Sequence, residues 1–320
     1  MRTMVRRVLI LFLGLGLTLT ALGCEWVLSS EQDPSETQEP DSQDEDSTQE
    51  GQDGDAPPDE DPYWKLTWYD EFNQETLDTN TWTRQKLLNP YNGEWQRYTA
   101  EESTAYTQNG NLVIKASHNG GLHKAGNYTS ARVISNPGGN DGTSDIPGKT
   151  FLYGRLEARI KLPTGKGIWP AFWLLGDSIG ETGGDTDWPA SGEIDILETG
   201  AKNVDSYYGH ATVGQAIHYS NETDNWEYRH GSQGHPDGLW GDDYHVYGIE
   251  WDSQKILWTI DGREVHREFI NKDHLSEFHQ PFYVIFNIAV GGTYTYDPDA
   301  TTGFPKYMYI DWIRYYKPRS

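Results

Sequence analysis

The sequence predicts an all-β domain of antiparallel strands, built as a sandwich, jelly roll or barrel. Short β-rich runs follow one another from residue 63 to about residue 318, with Gly-rich turns between them. No segment sustains the 3.6-residue apolar period of an amphipathic helix, and no fixed-period repeat appears. Aromatic residues make up 13% of the chain, with 13 Trp and 20 Tyr. Such residues fill β-sandwich cores and also line clefts whose ligands present flat C–H faces.

In chain order the strand candidates are residues 110–117, 153–162, 171–176, 192–199, 244–252, 256–265, 282–290 and 307–317. Arg155-Leu156-Glu157-Ala158-Arg159-Ile160 alternates polar and apolar side chains, as a half-buried strand does. Asp261-Gly262 interrupts one run with the residue pair that a type I′ hairpin turn prefers. Residues 63–320 are enough to enclose a sizeable core in one domain.

The residues before that domain carry different signals. Arg2, Arg6 and Arg7 precede an apolar run over residues 8–22 that ends at Gly23-Cys24. This is short for a membrane span and the right length for the apolar core of an export signal, expected over residues 1–23. Cys24 is the only cysteine and sits where a bacterial lipoprotein signal places its lipid-bearing residue. Ala21-x-Gly23 also suits an ordinary signal peptidase, so secretion with an unmodified Cys24 is the alternative. The expectation is an exported protein, held at the bacterial cell surface or outer membrane by lipid on Cys24 or else released. Residues 25–61 contain fifteen acidic residues and no Lys or Arg, so residues 24–62 are expected to be a disordered acidic tether. The formal charge of −24 excludes nucleic acid as a natural partner, and what remains of the chain is still net acidic. A monomer acting on a neutral ligand fits this balance. One cysteine permits no internal disulfide and no cysteine metal site.

The sharpest local feature is Ser191-Gly192-Glu193-Ile194-Asp195-Ile196-Leu197-Glu198. In a plain strand Glu193 and Asp195 share a face and Glu198, five residues on, points away. A β-bulge of one residue returns Glu198 to that face, and bulges are frequent beside active sites. Ile194 then faces the core, with Ile196 and Leu197 in the bulge. Three like charges on one face of an apolar strand repel one another, which points to chemistry rather than stability. Four pleat steps separate the Glu193 and Glu198 backbones by about 13 Å. Side chains leaning inward can approach the about 5–5.5 Å carboxyl spacing of retaining glycosidases. A calcium site or a solvated acidic face are the alternatives.

Gly192-Glu193-Ile194-Asp195-Ile196-Leu197-Glu198 resembles the bulged Glu-x-Asp-x-x-Glu signature of glycoside hydrolase family 16, in its laminarinase-like branch. The similarity extends through Trp68-Tyr69-Asp70-Glu71-Phe72-Asn73, Glu94-Trp95-Gln96-Arg97-Tyr98, the run from Tyr153 to Gly176, and Asp311-Trp312-Ile313-Arg314-Tyr315-Tyr316. The resemblance implies a concanavalin A-like β-jelly-roll sandwich with a substrate cleft on its concave face. It implies Glu193 as nucleophile, Glu198 as general acid/base and Asp195 as the residue that orients the nucleophile. It places Trp169, Trp173 and Trp188 as sugar platforms, with core packing as the alternative for each. Arg132 and Asn92 match sugar-contacting positions, and a structural ion pair is the alternative for Arg132. His218 matches a histidine on the strand beside the acid/base, with His210 as a second alignment. A structural Ca²⁺ on Glu71, Asp311 and a backbone carbonyl near Gly110 is also implied, and no catalytic metal.

The activity implied is endo-hydrolysis of β-1,3-glucan, extending to mixed-linkage β-1,3-1,4-glucan. Hydrolysis of red-algal galactans, as in the agarase and carrageenase branches, and transglycosylation are alternatives. A non-catalytic glucan-binding module is a third, opposed by the presence of all three carboxylates. Two segments depart from the branch's pattern: Ala289-Val290-Gly291-Gly292-Thr293-Tyr294 replaces Gly-Gly-Asn-Trp, and residues 177–189 form an acidic, Gly-containing loop.

Overall fold

The computed structural model describes residues 61–135, 149–221, 223 and 225–319. The expected export signal, Cys24 and nearly all of the acidic tether lie outside the described residues. The tether's last two residues, expected to be disordered, are ordered. The Asp61 carboxylate accepts from the Tyr63 and Trp64 amides and pairs with Arg155 at 2.9 Å, which ties residue 61 to the folded domain.

Two sheets form the antiparallel sandwich that the alternating runs predict. One has the strand order Trp226–Gly234, Thr212–Ser220, Glu193–Glu198, Ile168–Gly176, Phe282–Val290, Arg132–Ile134, Thr83–Arg84, with Thr150–Phe151 also on Phe282–Val290. The other runs Arg263–Phe269, Lys255–Ile260, Tyr244–Trp251, Gly154–Lys161, Lys306–Pro318, Asn111–His118, Tyr128–Ser130, Gln96–Tyr98. Trp64–Asp70 joins Lys306–Pro318, and Ala105–Gln108 joins Asn111–His118. The pair Gln96–Tyr98 and Tyr128–Ser130 is parallel.

The core lies between the sheets. Phe172, Ile194, Leu197, Ile217 and Phe286 from the first meet Leu156, Tyr247, Ile249, Trp258 and Ile313 from the second in one buried cluster. The inward residues of Gly154–Lys161 are Gly154, Leu156, Ala158 and Ile160, alternating strictly with partly exposed neighbours. The turn at Asp261-Gly262 has φ of 51° and 73°, positive at both central positions as a type I′ turn requires. The nine-residue strands Thr212–Ser220 and Trp226–Gly234 were not among the runs read as strand candidates, although the resemblance placed His218 on a strand. The second has an exposed or half-exposed pattern throughout, without the apolar alternation that marks a core-facing strand.

Candidate active site

Glu193–Glu198 sits near the middle of its sheet. Residues paired across an antiparallel ladder point to the same face. Glu193, Asp195 and Glu198 pair with Leu175, Trp173 and Ala171 on one side, while Ile194 and Leu197 pair with Leu174 and Phe172. Ile196 has no partner in that register, and the other neighbouring strand shows its irregularity at the same place, between Asp195 and Glu198. The bulge inferred from the five-residue spacing is therefore present, narrowed to Ile196. It puts all three carboxylates on the outer face and keeps Ile194 and Leu197 fully buried. Trp258 of the opposite sheet donates its indole N–H to the Asp195 carbonyl at 2.8 Å, tying the bulged strand to the core.

Each outer carboxylate has one indole donor. Trp188 Nε1 donates to Glu193 Oε2 at 3.0 Å, and Trp169 Nε1 donates to Glu198 Oε1 at 2.7 Å. Asp195, 3% exposed, lies between them with His218 Nε2 at 3.1 Å from its Oδ2. The same nitrogen is 3.7 Å from Glu193 Oε1. On the far side of the ring, His218 Nδ1 accepts from Trp226 Nε1 at 3.1 Å. An indole N–H only donates, so the neutral imidazole carries its proton on Nε2, facing the carboxylates.

Burial pushes all three carboxyls up to about 8. For Glu193 and Glu198 the Asp195 charge adds to burial; His218 and the Trp188 N–H oppose it at Glu193, and the Trp169 N–H opposes it at Glu198. Groups this close hold and release protons as one set. The arrangement can thus keep one carboxyl protonated beside an ionised one near neutral pH, as acid–base work on an ether-like bond requires.

The structure sorts the remaining candidates. Trp188 is 43% exposed beside Glu193, open enough to receive a ring. Trp169 is only 9% exposed and is stacked against Tyr294, with ring centroids 4.7 Å apart, so it orients Glu198 more than it offers a surface. Trp173 is half-buried and donates to Asn287 Oδ1 at 2.7 Å. Asn287 Nδ2 donates to Tyr98 Oη, whose hydroxyl donates to Glu94 Oε2, each at 3.0 Å. His218 pairs across the ladder with Glu193, the expected nucleophile, whereas Gly214 stands opposite Glu198. His210 is buried against Thr199 and the Gly165 carbonyl, away from the three carboxylates in the register.

Two expectations need correction. Arg132 does not reach out for a ligand. It is 4% exposed, donates to Gln85 and to Glu181 at 2.8 Å, and lies 5.1 Å from the Trp173 ring centre. Its ion pair with Glu181 anchors the acidic loop of residues 177–189 and supports Trp173. Removing one partner of a buried pair leaves the other charge uncompensated. Arg132→Ala is accordingly expected to lower the unfolding free energy by about 3 kcal/mol, read from urea denaturation.

Asn92 is exposed with φ 59°, and its carbonyl accepts from the Thr293 amide at 2.9 Å. It braces the turn at residues 291–293 and its side chain bonds to Glu94. The second correction is calcium. Both Glu71 oxygens accept from Arg314, at 2.8 and 3.0 Å, and Asp311 pairs with Arg159 at 2.6 Å. Two carboxylates already neutralised by separate guanidinium groups do not form the free hard-oxygen set that Ca²⁺ takes, so the donors near Gly110 do not fit that ion. Among the described residues, the metal-ligating groups that cluster in threes are Glu193, Asp195 and His218, the catalytic set itself.

Tyr294, Asn287, Glu94, Trp226 and Tyr228 belong to the site and were not singled out from the sequence. Tyr294 supplies an aromatic ring within the segment that departs from the branch pattern. Trp226-x-Tyr228-x-His230 is a period-2 aromatic pattern that would have marked an outward-facing strand.

An outer sheet face bearing paired, proton-sharing carboxylates among indoles defines a glycosidase-type site. A family profile described as "Beta-porphyranase A-D, GH16 domain" matches residues 64–318. The chain is 35% identical over 277 residues to "Glucan endo-1,3-beta-glucosidase A1" of Niallia circulans, covering 79% of this chain and 38% of that protein. It is 35% identical over 273 residues to "Beta-glucanase" of Rhodothermus marinus, covering 80% and 86%. The catalytic domain of an endo-1,3-beta-glucanase (laminarinase) from Thermotoga petrophila superposes with a TM-score of 0.65 at 35% identity, covering 80% of this chain and 99% of that one. The chain belongs to glycoside hydrolase family 16 and is a hydrolase of O-glycosyl bonds.

Proposed function

We propose that the protein is an endo-acting, retaining β-1,3-glucanase for laminarin-like chains, with mixed-linkage β-1,3-1,4-glucan as a further substrate. The observation that carries this is the bulged strand, which presents Glu193 and Glu198 on one face with Asp195 between them. Trp188 occupies Glu193 Oε2, leaving Oε1 to attack the anomeric carbon. Trp169 occupies Glu198 Oε1, leaving Oε2 to carry the proton to the departing glycosidic oxygen. The C–O bond breaks as the Glu193–carbon bond forms. Water then attacks that carbon, gives its proton to Glu198 and frees Glu193, with net retention. Asp195 and the Nε2–H of His218 hold Glu193 in line and moderate its charge.

The glucanase relatives support this substrate. The family profile, named for a porphyranase, favours a second reading as a galactan hydrolase. Sulfated galactans call for cationic contacts, and the guanidinium beside Trp173 is already committed to Glu181. Product analysis of the whole protein on laminarin, mixed-linkage glucan, agarose, porphyran and carrageenan separates the two. Short oligosaccharides from laminarin are expected. Cleavage of a galactan with both glucans untouched would replace the substrate and keep the site.

A further inference from the structure

The edge strand Trp226–Gly234 carries a row of rings of which the hydrolytic steps use only the Trp226 N–H. Ser220, His218 and Ala216 pair with Trp226, Tyr228 and His230, so these three share the face of the carboxylates. Trp226 and Tyr228 are each 53% exposed, and His230 is exposed too. Their rings follow one another at 5.6 and 5.4 Å with interplanar angles of 23° and 22°. The row is continuous with the site. The Trp188 ring is 5.6 Å from Trp226, and the His218 ring is stacked on both Trp226 and Tyr228.

Strands in a sheet are spaced by about 4.8 Å, so Tyr228 stands about 10 Å from Glu193, level with it across the ladder. Large rings half open to water are costly unless they meet an apolar face. The ligand that already approaches this face through Trp188 is a sugar chain, whose C–H faces suit aromatic surfaces. We propose that Trp226, Tyr228 and His230 form a saccharide-binding platform that extends the cleft past His218 and holds additional sugar units of the substrate. This rests on the polysaccharide-hydrolase reading above and adds where the chain runs. Trp226 serves twice, because its N–H also fixes the tautomer of His218. Tyr228 and His230 therefore give the cleaner test.

Oligosaccharides of increasing length from laminarin are titrated calorimetrically into Glu193→Gln, then into the same variant carrying Tyr228→Ala and His230→Ala, and into one carrying Tyr228→Phe. Affinity should climb with length in the first. In the second the climb should stop short, with about a tenfold loss for the longer chains, as expected for a substantial aromatic contact. Tyr228→Phe should restore it, since the ring face and not the hydroxyl makes the contact. Identical length dependence in the first two variants would overturn the platform. If the native enzyme leaves laminarin uncut and cuts a galactan, the substrate reading fails, and oligosaccharides of that galactan decide the platform by the same criterion. Failure of Glu193→Gln to bind either series would remove it altogether.

Discussion

Replacing Glu193 or Glu198 by Ala is expected to lower kcat on laminarin by at least about 10³-fold, and added azide should distinguish the two losses. Without Glu193 a space opens on the attacking side of the sugar. Azide entering it displaces the leaving group once, with Glu198 still supplying the proton, and gives an inverted glycosyl azide. Without Glu198 a substrate with a good leaving group still loads Glu193. Azide then resolves that intermediate in a second displacement and gives the retained anomer. Proton NMR of the products reads the configuration directly. The opposite pairing of variant and anomer would exchange the roles of the two residues. Retained product from both would show that a different group attacks.

A second large effect is expected in stability and has the opposite sign to the loss of activity. Glu198 ordinarily titrates near 4.5 and is pushed to about 8 by burial and the Asp195 charge. A carboxyl that binds its proton more tightly folded than unfolded supports the fold while protonated, and this support declines as pH rises from about 4.5 to about 8. Glu198→Gln keeps an oxygen for the Trp169 N–H and removes the charge. The full shift would be worth several kcal/mol at about 1.4 kcal/mol per unit. Proton sharing among the three carboxyls and the cleft-side exposure of Glu198 reduce that to about 1–2 kcal/mol. The variant should therefore melt about 2–8 °C above the native enzyme at pH 8 and together with it at pH 4. Equal melting temperatures at pH 8 would show that the cluster is not strained by its own charge.

The parts of this architecture that were legible in the sequence are those set by local rules. Alternation located Gly154–Lys161, and the I′ turn located the hairpin at Asp261-Gly262. The five-residue gap from Glu193 to Glu198 was odd on a face of even period, and only an extra residue could reconcile it. What stayed hidden depends on long-range contact. Arg132 meets Glu181 only after the chain has crossed the sheet, and nothing near either residue announces the pairing. Tyr294 reaches Trp169 from a turn. The edge strand was missed for a different reason: its aromatic face looks outward, so a search for apolar residues alternating toward a core had no reason to find it.

The bulge at Ile196 also has an evolutionary consequence. Because Ile196 alone lacks a partner in the ladder with Ile168–Gly176, losing its codon in frame removes only the surplus residue. Leu197 and Glu198 would keep Phe172 and Ala171 as neighbours, and everything downstream would keep its parity. The carboxylates would then read Glu-x-Asp-x-Glu, the plain form found in lichenase-type members of the family, with the acid/base still on the working face. The two forms of the signature are thus one deletion apart, and the intermediate between them need never lose its chemistry.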